Sequence, residues 1–474
     1  MKFRVEEVVG ATRGHLALGR PGASAGSIST DSRSLEAGQT FLALHGERFD
    51  AHDFLDGAIA RGAVCLVADC EDKVPWPAVS AAGAAVVVVG DTLKALADLG
   101  RAARARLSCP VIAVTGSCGK TTVKEMVGQI LRRYRRGRAA PASFNNQVGV
   151  PLTLLAAEPD DQFTLCELGS NAPGEIAALA AIARPTIGIV TVVGRVHLER
   201  LGSIEGVATE KGALVEALGP KGTAVLNADD LRVAAMAARC RGRVVTVGLE
   251  VKADLVAGDV LQTERGISFT VAGEVGFDVP VLGRHQVLLA LESAAAAREL
   301  GVSLEDSAAA LREFQPPPAR LRPQQRGGVT ILDDAFNANP LSTRAALAQF
   351  ALWPERRKVF FAGDMRELGP DSRQEHEALG SEIVKAGVKR LVCVGPESRA
   401  TACAAVEAGL GSDDVTLADD SAAAVAMAPS VVRDGDVVLV KGSHAMHMEQ
   451  IVEALSVAFG GKPKVEDPPR RTNV

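Results

Sequence analysis

The sequence predicts a three-domain α/β protein, and three observations carry that prediction. Two long blocks alternate short apolar runs with helical patterns, as parallel strands and their crossover helices do. The run Phe314-Gln315-Pro316-Pro317-Pro318-Ala319-Arg320 reads as a stiff linker between them. A chain of 474 residues has room for about three domains, each with its own core. The expected boundaries are residues 1–91, 92–319 and 320–474.

The first domain mixes β-like runs at 40–44, 63–67 and 85–89 with short helical stretches, a mixed α/β pattern. A helix over 92–107 leads into the apolar strand Val111-Ile112-Ala113-Val114. The loop Thr115-Gly116-Ser117-Cys118-Gly119 follows, and Lys120-Thr121-Thr122 opens a helix that runs from Val123 to about Leu131. Strand, glycine-bounded loop and helix together make a phosphate cradle, because loop N–H groups and the positive helix end face an anion. Lys120 can reach terminal phosphates and the Thr121 hydroxyl can ligate Mg²⁺. The general pattern G-x-x-x-x-G-K-[ST] would place glycine at Val114, so this loop is a shortened variant. ATP binding is the inference, on Gly116, Ser117, Cys118, Gly119, Lys120, Thr121 and Thr122.

Further strands are expected at 163–168, 187–193, 223–226 and 243–247, making the centre a parallel-sheet, P-loop ATPase-like domain. A glycine-punctuated β-meander over 254–282 and an alanine-rich helix after Gly283 complete it. Beyond the linker, strands at 329–334, 358–364, 390–395 and 436–440 alternate with helices in a Rossmann-like arrangement. No G-x-G-x-x-G is present there, which argues against dinucleotide binding.

A net charge of −5 and the lack of a basic stripe with interleaved aromatics exclude a nucleic-acid footprint. The densest basic run, 132–138, reads as a solvated helix end favoured by the helix dipole. The N-terminus lacks the apolar core of a signal peptide, and no apolar run is long enough to span a bilayer. Eight scattered cysteines with no C-x-x-C pair fit reduced thiols in the cytoplasm.

Polar residues at the ends of parallel strands rank first as ligand-binding candidates. Glu167 ends the strand after the P-loop strand, and reads either as a Mg²⁺ ligand or as a surface carboxylate. His197 follows the next strand and reads either as a structural histidine or as a ligand. Lys211, on periodicity alone, is a solvated helix lysine. Asp31-Ser32-Arg33 suits phosphate recognition or simply a turn.

The order of these motifs resembles the Mur ligases over nearly the whole chain. The resemblance rests on Thr30-Asp31-Ser32-Arg33, Gly46-Glu47-Arg48-Phe49-Asp50, the P-loop, Asn145-Asn146-Gln147-Val148-Gly149, the Glu167 segment and His197-Leu198-Glu199. Farther on it rests on Gly283-Arg284-His285, Asp333-Asp334-Ala335-Phe336-Asn337-Ala338-Asn339-Pro340, Gly363-Asp364-Met365-Arg366-Glu367-Leu368-Gly369 and Lys441-Gly442-Ser443. Within the family it is similar to the type that adds D-alanyl-D-alanine to a UDP-N-acetylmuramoyl tripeptide.

That resemblance implies an ATP-dependent amide ligase working through an acyl phosphate in cytoplasmic peptidoglycan precursor synthesis. It implies catalytic roles for Lys120, Glu167, His197 and Lys211, and two Mg²⁺ ions on Thr121, Glu167, His197 and a carbamylated Lys211. His285, Arg320 and Asp334 would join the ATP site. Thr30, Asp31, Ser32, Arg33, Asn145, Asn146, Asn337 and Asn339 would bind the UDP-sugar peptide or the dipeptide. The expected partners are small molecules only, with no nucleic acid, no membrane insertion and a monomeric enzyme.

Departures cluster near the nucleotide. Gln286 and Leu289 stand where the family has asparagines, and Val192 replaces another. Ala335 and Phe336 replace Ser and Tyr, and His444 replaces an arginine. These leave open a diverged ligase with another amine or acyl substrate, or a non-catalytic nucleotide-binding relative.

Overall fold

The computed structural model describes residues 1–46, 49–353 and 355–460; Glu47 and Arg48 of the Gly46–Asp50 motif lie outside the described residues. The chain forms two compact bodies. One contains residues 1–192, 208–247 and 292–303, and the other contains 193–207, 248–291 and the chain from 304 onward.

In the first body, β1 (Phe3–Arg4) pairs antiparallel with β3 (Ser24–Gly26). The N-terminal sheet has β2 (His15–Leu18) at one edge, antiparallel to β7 (Ala85–Val88). It continues in parallel through β6 (Cys65–Ala68) and β5 (Thr40–Leu42) to β4 (Ile28–Ser29). Phe41, Leu66 and Val86 from three of these strands share one core cluster. Thr30–Arg33 thus leave the carboxyl end of an edge strand.

The central sheet of this body is parallel throughout, in the order β13 (Arg243–Gly248), β12 (Thr223–Asn227), β11 (Ile187–Val190), β8 (Val111–Thr115), β10 (Thr164–Glu167), β9 (Arg138–Ala139). β8 lies between β10 and β11, so the chain reverses its winding there and a crevice opens at the strands' carboxyl ends. The phosphate loop, Glu167 and Thr191 all leave that end. The basic run extends beyond the helix Lys120–Arg132, contrary to a purely solvated helix end. Arg138 enters β9, and Arg136 and Arg138 pair with the buried Asp161 at 3.6 and 3.5 Å.

The second body begins its sheets with the antiparallel meander β14 (Leu255–Gln262), β15 (Ile267–Val271), β16 (Val275–Val279). Its larger sheet has the order β17 (Arg322–Arg326), β18 (Val329–Asp333), β22 (Val437–Lys441), β19 (Lys358–Gly363), β20 (Arg390–Val394), β21 (Val415–Ala418). Only the β17–β18 pair is antiparallel. Alternate residues feed two cores: Phe360 and Leu439 pack on one side, Phe361 and Val440 on the other. Strands buried on both faces need the continuous apolar runs that make them legible in sequence. Asp334, Asp364 and Lys441 sit at the carboxyl ends of adjacent strands. No helix among the described residues is long and apolar enough to cross a membrane, and all eight cysteines are free thiols.

Candidate functional site

The phosphate loop is held by its own backbone and by the strand beside it. Gly119 adopts φ +82° and caps the helix Lys120–Arg132. Gly116 takes φ +145°, and a Cβ there would meet the Thr191 hydroxyl at 2.0 Å. That hydroxyl donates to the Cys118 carbonyl, the Ser117 N–H donates to the Val192 carbonyl at 2.8 Å, and Lys120 Nζ donates to the Gly116 carbonyl at 2.8 Å. The substitution Gly116→Ala is therefore expected to cost roughly 1–3 kcal/mol, measured as a lower denaturant midpoint; an unchanged midpoint would show that the loop has slack.

Glu167 is no surface carboxylate: it is 1% exposed. Its Oε1 accepts from the Thr121 hydroxyl at 3.2 Å and from Asn145 Nδ2 at 3.0 Å. Its Oε2 is buried with no hydrogen-bond partner. The cation facing that oxygen is Lys124 Nζ at 3.7 Å, itself wholly buried, 3.1 Å from Glu125 Oε1 and donating to the Ala142 carbonyl. A buried carboxylate oxygen that accepts no hydrogen bond, beside a threonine hydroxyl at a phosphate loop, belongs to the donor set of a hard, oxygen-seeking cation. Mg²⁺ fits these residues.

Lys211 is likewise not a solvated lysine, being 1% exposed. Its Nζ donates to Ser170 Oγ at 2.7 Å. Burial, reinforced by the Lys120 charge, pushes it down to about 7. The adjacent Glu210 accepts from the N–H groups of Gly174 and Ile176 at 2.7 Å each, satisfying the start of the helix Glu175–Ala183. A lysine held near 7 is neutral often enough at neutral pH to act as a nucleophile toward CO₂.

In the N-terminal sheet Arg33 folds back on Asp31, with Nε and Nη2 each 2.9 Å from a carboxylate oxygen. That hydrogen-bonded guanidinium lowers the Asp31 carboxyl below its ordinary range. Arg33 is 88% exposed, so the pair contributes little and can be exchanged for another anion. Thr30 and Ser32 are half-buried beside it. Asn145 Nδ2 donates to Glu167, and the Asn145 backbone carbonyl accepts from the Gly169 N–H at 2.8 Å. Asn146 Oδ1 accepts from the N–H groups of Val148 and Gly149 at 3.1 and 2.9 Å, in the turn that leads into the helix Gly149–Ala156.

The remaining candidates belong to the second body. His197, left-handed at φ +51°, pairs through Nδ1 with Glu367, and the Leu198 N–H donates to the Glu367 carbonyl at 2.9 Å. Asp334 accepts from Lys441 Nζ at 2.5 Å and from the Leu321 N–H at 3.0 Å. Lys441 also donates to the Asn337 carbonyl at 2.9 Å. Asn337 Oδ1 accepts from the N–H groups of Ala338 and His444, and Asn339 caps the helix Pro340–Phe350. Arg320 lies over the Phe336 ring at 3.7 Å, and His444 stands 5.3 Å from the same ring. Burial, with the Lys441 charge adding to it, lowers His285 to about 4, so its imidazole is neutral at neutral pH.

Two of the departures are absorbed by packing. Ala335 joins the core, and Leu289 is buried. Gln286 is buried with its Oε1 lacking a partner. Sequence reasoning missed Lys124, Ser170 and Asn227, whose Nδ2 donates to the Thr191 carbonyl at 3.0 Å. It also missed Glu292, fully buried with both carboxyl oxygens unpartnered and its pKa raised by burial. The signal for Glu292 was a carboxylate midway along an apolar, alanine-rich helix.

Three family models match: the Mur ligase family catalytic domain over residues 25–104, the Mur ligase middle domain over 114–297 and the Mur ligase glutamate ligase domain over 319–444. The chain is similar to the UDP-N-acetylmuramoyl-tripeptide–D-alanyl-D-alanine ligase of Mycobacterium tuberculosis, 39% identical over 469 residues, covering 91% of this chain and 92% of that protein. The Escherichia coli protein of the same name is 35% identical over 437 residues, covering 90% and 93%. Among solved structures, MurF from Acinetobacter baumannii aligns with a TM-score of 0.85 at 30% identity, covering 96% of this chain and 99% of that one. MurF ligase from Thermotoga maritima, solved in complex with ADP, aligns with a TM-score of 0.77 at 26% identity, covering 91% and 97%.

Proposed function

The chain belongs to the Mur ligase family, and from that premise we propose that it adds D-alanyl-D-alanine to a UDP-N-acetylmuramoyl tripeptide at the expense of ATP. Its three-domain architecture is that of the family, with N-terminal, middle ATP-binding and C-terminal parts. We assign the substrate domain to residues 1–91, the ATP domain to 92–319 and the ligase domain to 320–474, in a monomeric cytoplasmic enzyme. The observation that carries the reading is the phosphate loop seated against Glu167, a buried carboxylate with one oxygen that accepts no hydrogen bond.

The peptide carboxylate attacks the γ-phosphorus of ATP, ADP leaves, and an acyl phosphate forms. The dipeptide amine then attacks the acyl carbon; phosphate leaves and the new amide nitrogen loses a proton. Both reactants of the first step are anions, so the protein must neutralise and align them. Loop N–H groups from Gly116 to Thr122 and Lys120 hold the phosphates. Thr121 and Glu167 would hold one Mg²⁺, with His197 in the metal-holding set; the ion supplies charge neutralisation on the transferring phosphoryl group. Neutral Lys211 adds to CO₂, forming an N–C bond and releasing a proton, and the resulting carbamate would hold a second Mg²⁺. Its burial and its shift to about 7 support that assignment. His285, Arg320 and Asp334 serve the nucleotide. Thr30, Asp31, Ser32, Arg33, Asn145, Asn146, Asn337 and Asn339 serve the UDP-peptide or dipeptide.

Phosphate release, measured with each substrate omitted in turn, tests the assignment. Full turnover is expected only with ATP, UDP-tripeptide and D-Ala-D-Ala together. Turnover indifferent to the dipeptide would replace this reading with that of a ligase for a different amine.

A further inference from the structure

The loop after β5, the helical turn Ala51–Phe54 and the end of β6 converge on a side-chain cluster that the ligase reading leaves unused. We propose that His45, His52 and Asp69 form a site for a divalent transition-metal ion such as Zn²⁺. His45 Nε2 and His52 Nε2 lie 2.8 and 3.1 Å from the same oxygen, Asp69 Oδ1. The three ligand atoms are all within 4.8 Å of one another. Ligands about 2.0–2.1 Å from a tetrahedral ion stand about 3.3 Å apart, so admitting the ion moves each imidazole a few tenths of an ångström from Asp69 Oδ1 and closes the widest ligand pair by up to about 1.5 Å. Two imidazoles and one carboxylate select Zn²⁺-type ions over Mg²⁺ or Ca²⁺, which take oxygen ligands.

The surroundings are arranged as a metal site requires. His52 Nδ1 is hydrogen-bonded to Asp50 Oδ1 at 2.7 Å, which orients that ring from behind, and His45 Nδ1 lies 3.4 Å from the same oxygen. Lys73 fixes Asp50 through Oδ2 at 2.8 Å. The other oxygen of Asp69 accepts from the Thr92 N–H at 3.0 Å and its hydroxyl at 3.3 Å. The Asp69 N–H approaches His52 Nε2 at 3.3 Å, which marks that nitrogen as the lone-pair side and Nδ1 as the proton carrier. The rings stack with centroids 4.7 Å apart. His52 is fully buried while His45 is 57% exposed, giving an entry path and an open fourth position. An ion there would tie the loop leading to the exposed Phe49 to the parallel sheet.

Tag-free, chelator-treated protein is titrated with Co²⁺ in excess Mg²⁺ and followed by visible absorption, then challenged with Zn²⁺. One equivalent of Co²⁺ with intense bands, displaced by Zn²⁺, is expected. His45→Gln, at an exposed position, should weaken uptake at least about tenfold through loss of a ligand, and Asp50→Asn about 10–100-fold through loss of orientation. Glu167→Gln should leave the bands unchanged. Wild-type protein without bands, or bands that survive His45→Gln, would show that these residues form only a hydrogen-bonded cluster. Bands lost in Glu167→Gln would place the ion at the ATP site, and either result overturns the proposal.

Discussion

Lys211→Ala is expected to lower kcat by about 10²–10³-fold or more, the loss that follows removal of one preorganised charge-stabilising group, with short-chain carboxylates restoring part of it. The expectation follows from burial. A lysine in water, near 10.5, is protonated in all but about one molecule in 10³ at pH 7; Lys211, at about 7, is neutral in about half. Lys211→Arg separates the two roles open to this side chain. Arginine keeps the positive charge but is never neutral, so it cannot form a carbamate, and it should be as inactive as alanine. Comparable turnover in the arginine variant, or undiminished activity in the alanine variant, would remove the carbamate from the mechanism. The shift also fixes a sign for stability. Between about pH 7 and 10.5 the unfolded chain holds this proton and the folded chain does not, so stability from this group rises with pH across that window. Below about pH 7 protonation closes the route to CO₂ capture.

Lys124→Met is expected to destabilise the first body by roughly 3–5 kcal/mol, the usual result of removing one partner from a buried ion pair. At about 2–4 °C per kcal/mol for a body of this size, its melting transition should fall by about 6–20 °C. Glu167 would remain buried with Oε2 facing no cation at 3.7 Å, so millimolar Mg²⁺ should recover part of the loss. The double variant Lys124→Met/Glu167→Gln should lose less than the sum of its single changes, because no unpaired charge remains. Thermal unfolding in both metal conditions measures each quantity. A Lys124→Met protein as stable as the parent would dismiss the pairing.

Much of the architecture is readable along the chain for a specific physical reason. Strands such as Val437–Lys441 and Lys358–Gly363 are buried on both faces and must be apolar at every position. By contrast Arg322–Arg326 is an antiparallel edge strand of polar residues and proline, with no pattern to announce it. Val415–Ala418 is short and half-exposed, and is missed for the same reason. The phosphate loop is legible because its function resides in local backbone conformation, which two glycines and a Lys-Thr-Thr largely dictate.

Residues in the site were legible to a smaller degree. On its helix Lys124 is one more charge in Val123-Lys124-Glu125, and nothing in the period places it inside. Its burial comes from the Ala142 carbonyl and from Glu167, which follow it by 18 and 43 positions. Asn145 shows the converse: its motif points to substrate, while its amide is hydrogen-bonded to Glu167. The grouping of His45 and His52 with Asp69 likewise joins segments with no shared pattern.

Element order, the parallel sheets and the phosphate loop followed from residue chemistry and spacing, because each is a matter of near neighbours in the chain. The charge state of Lys211, the counter-ion of Glu167 and the ligand cluster at Asp69 did not. They depend on solvent exclusion and on short contacts made by atoms remote in sequence, and those arise only when the strands and loops are packed together.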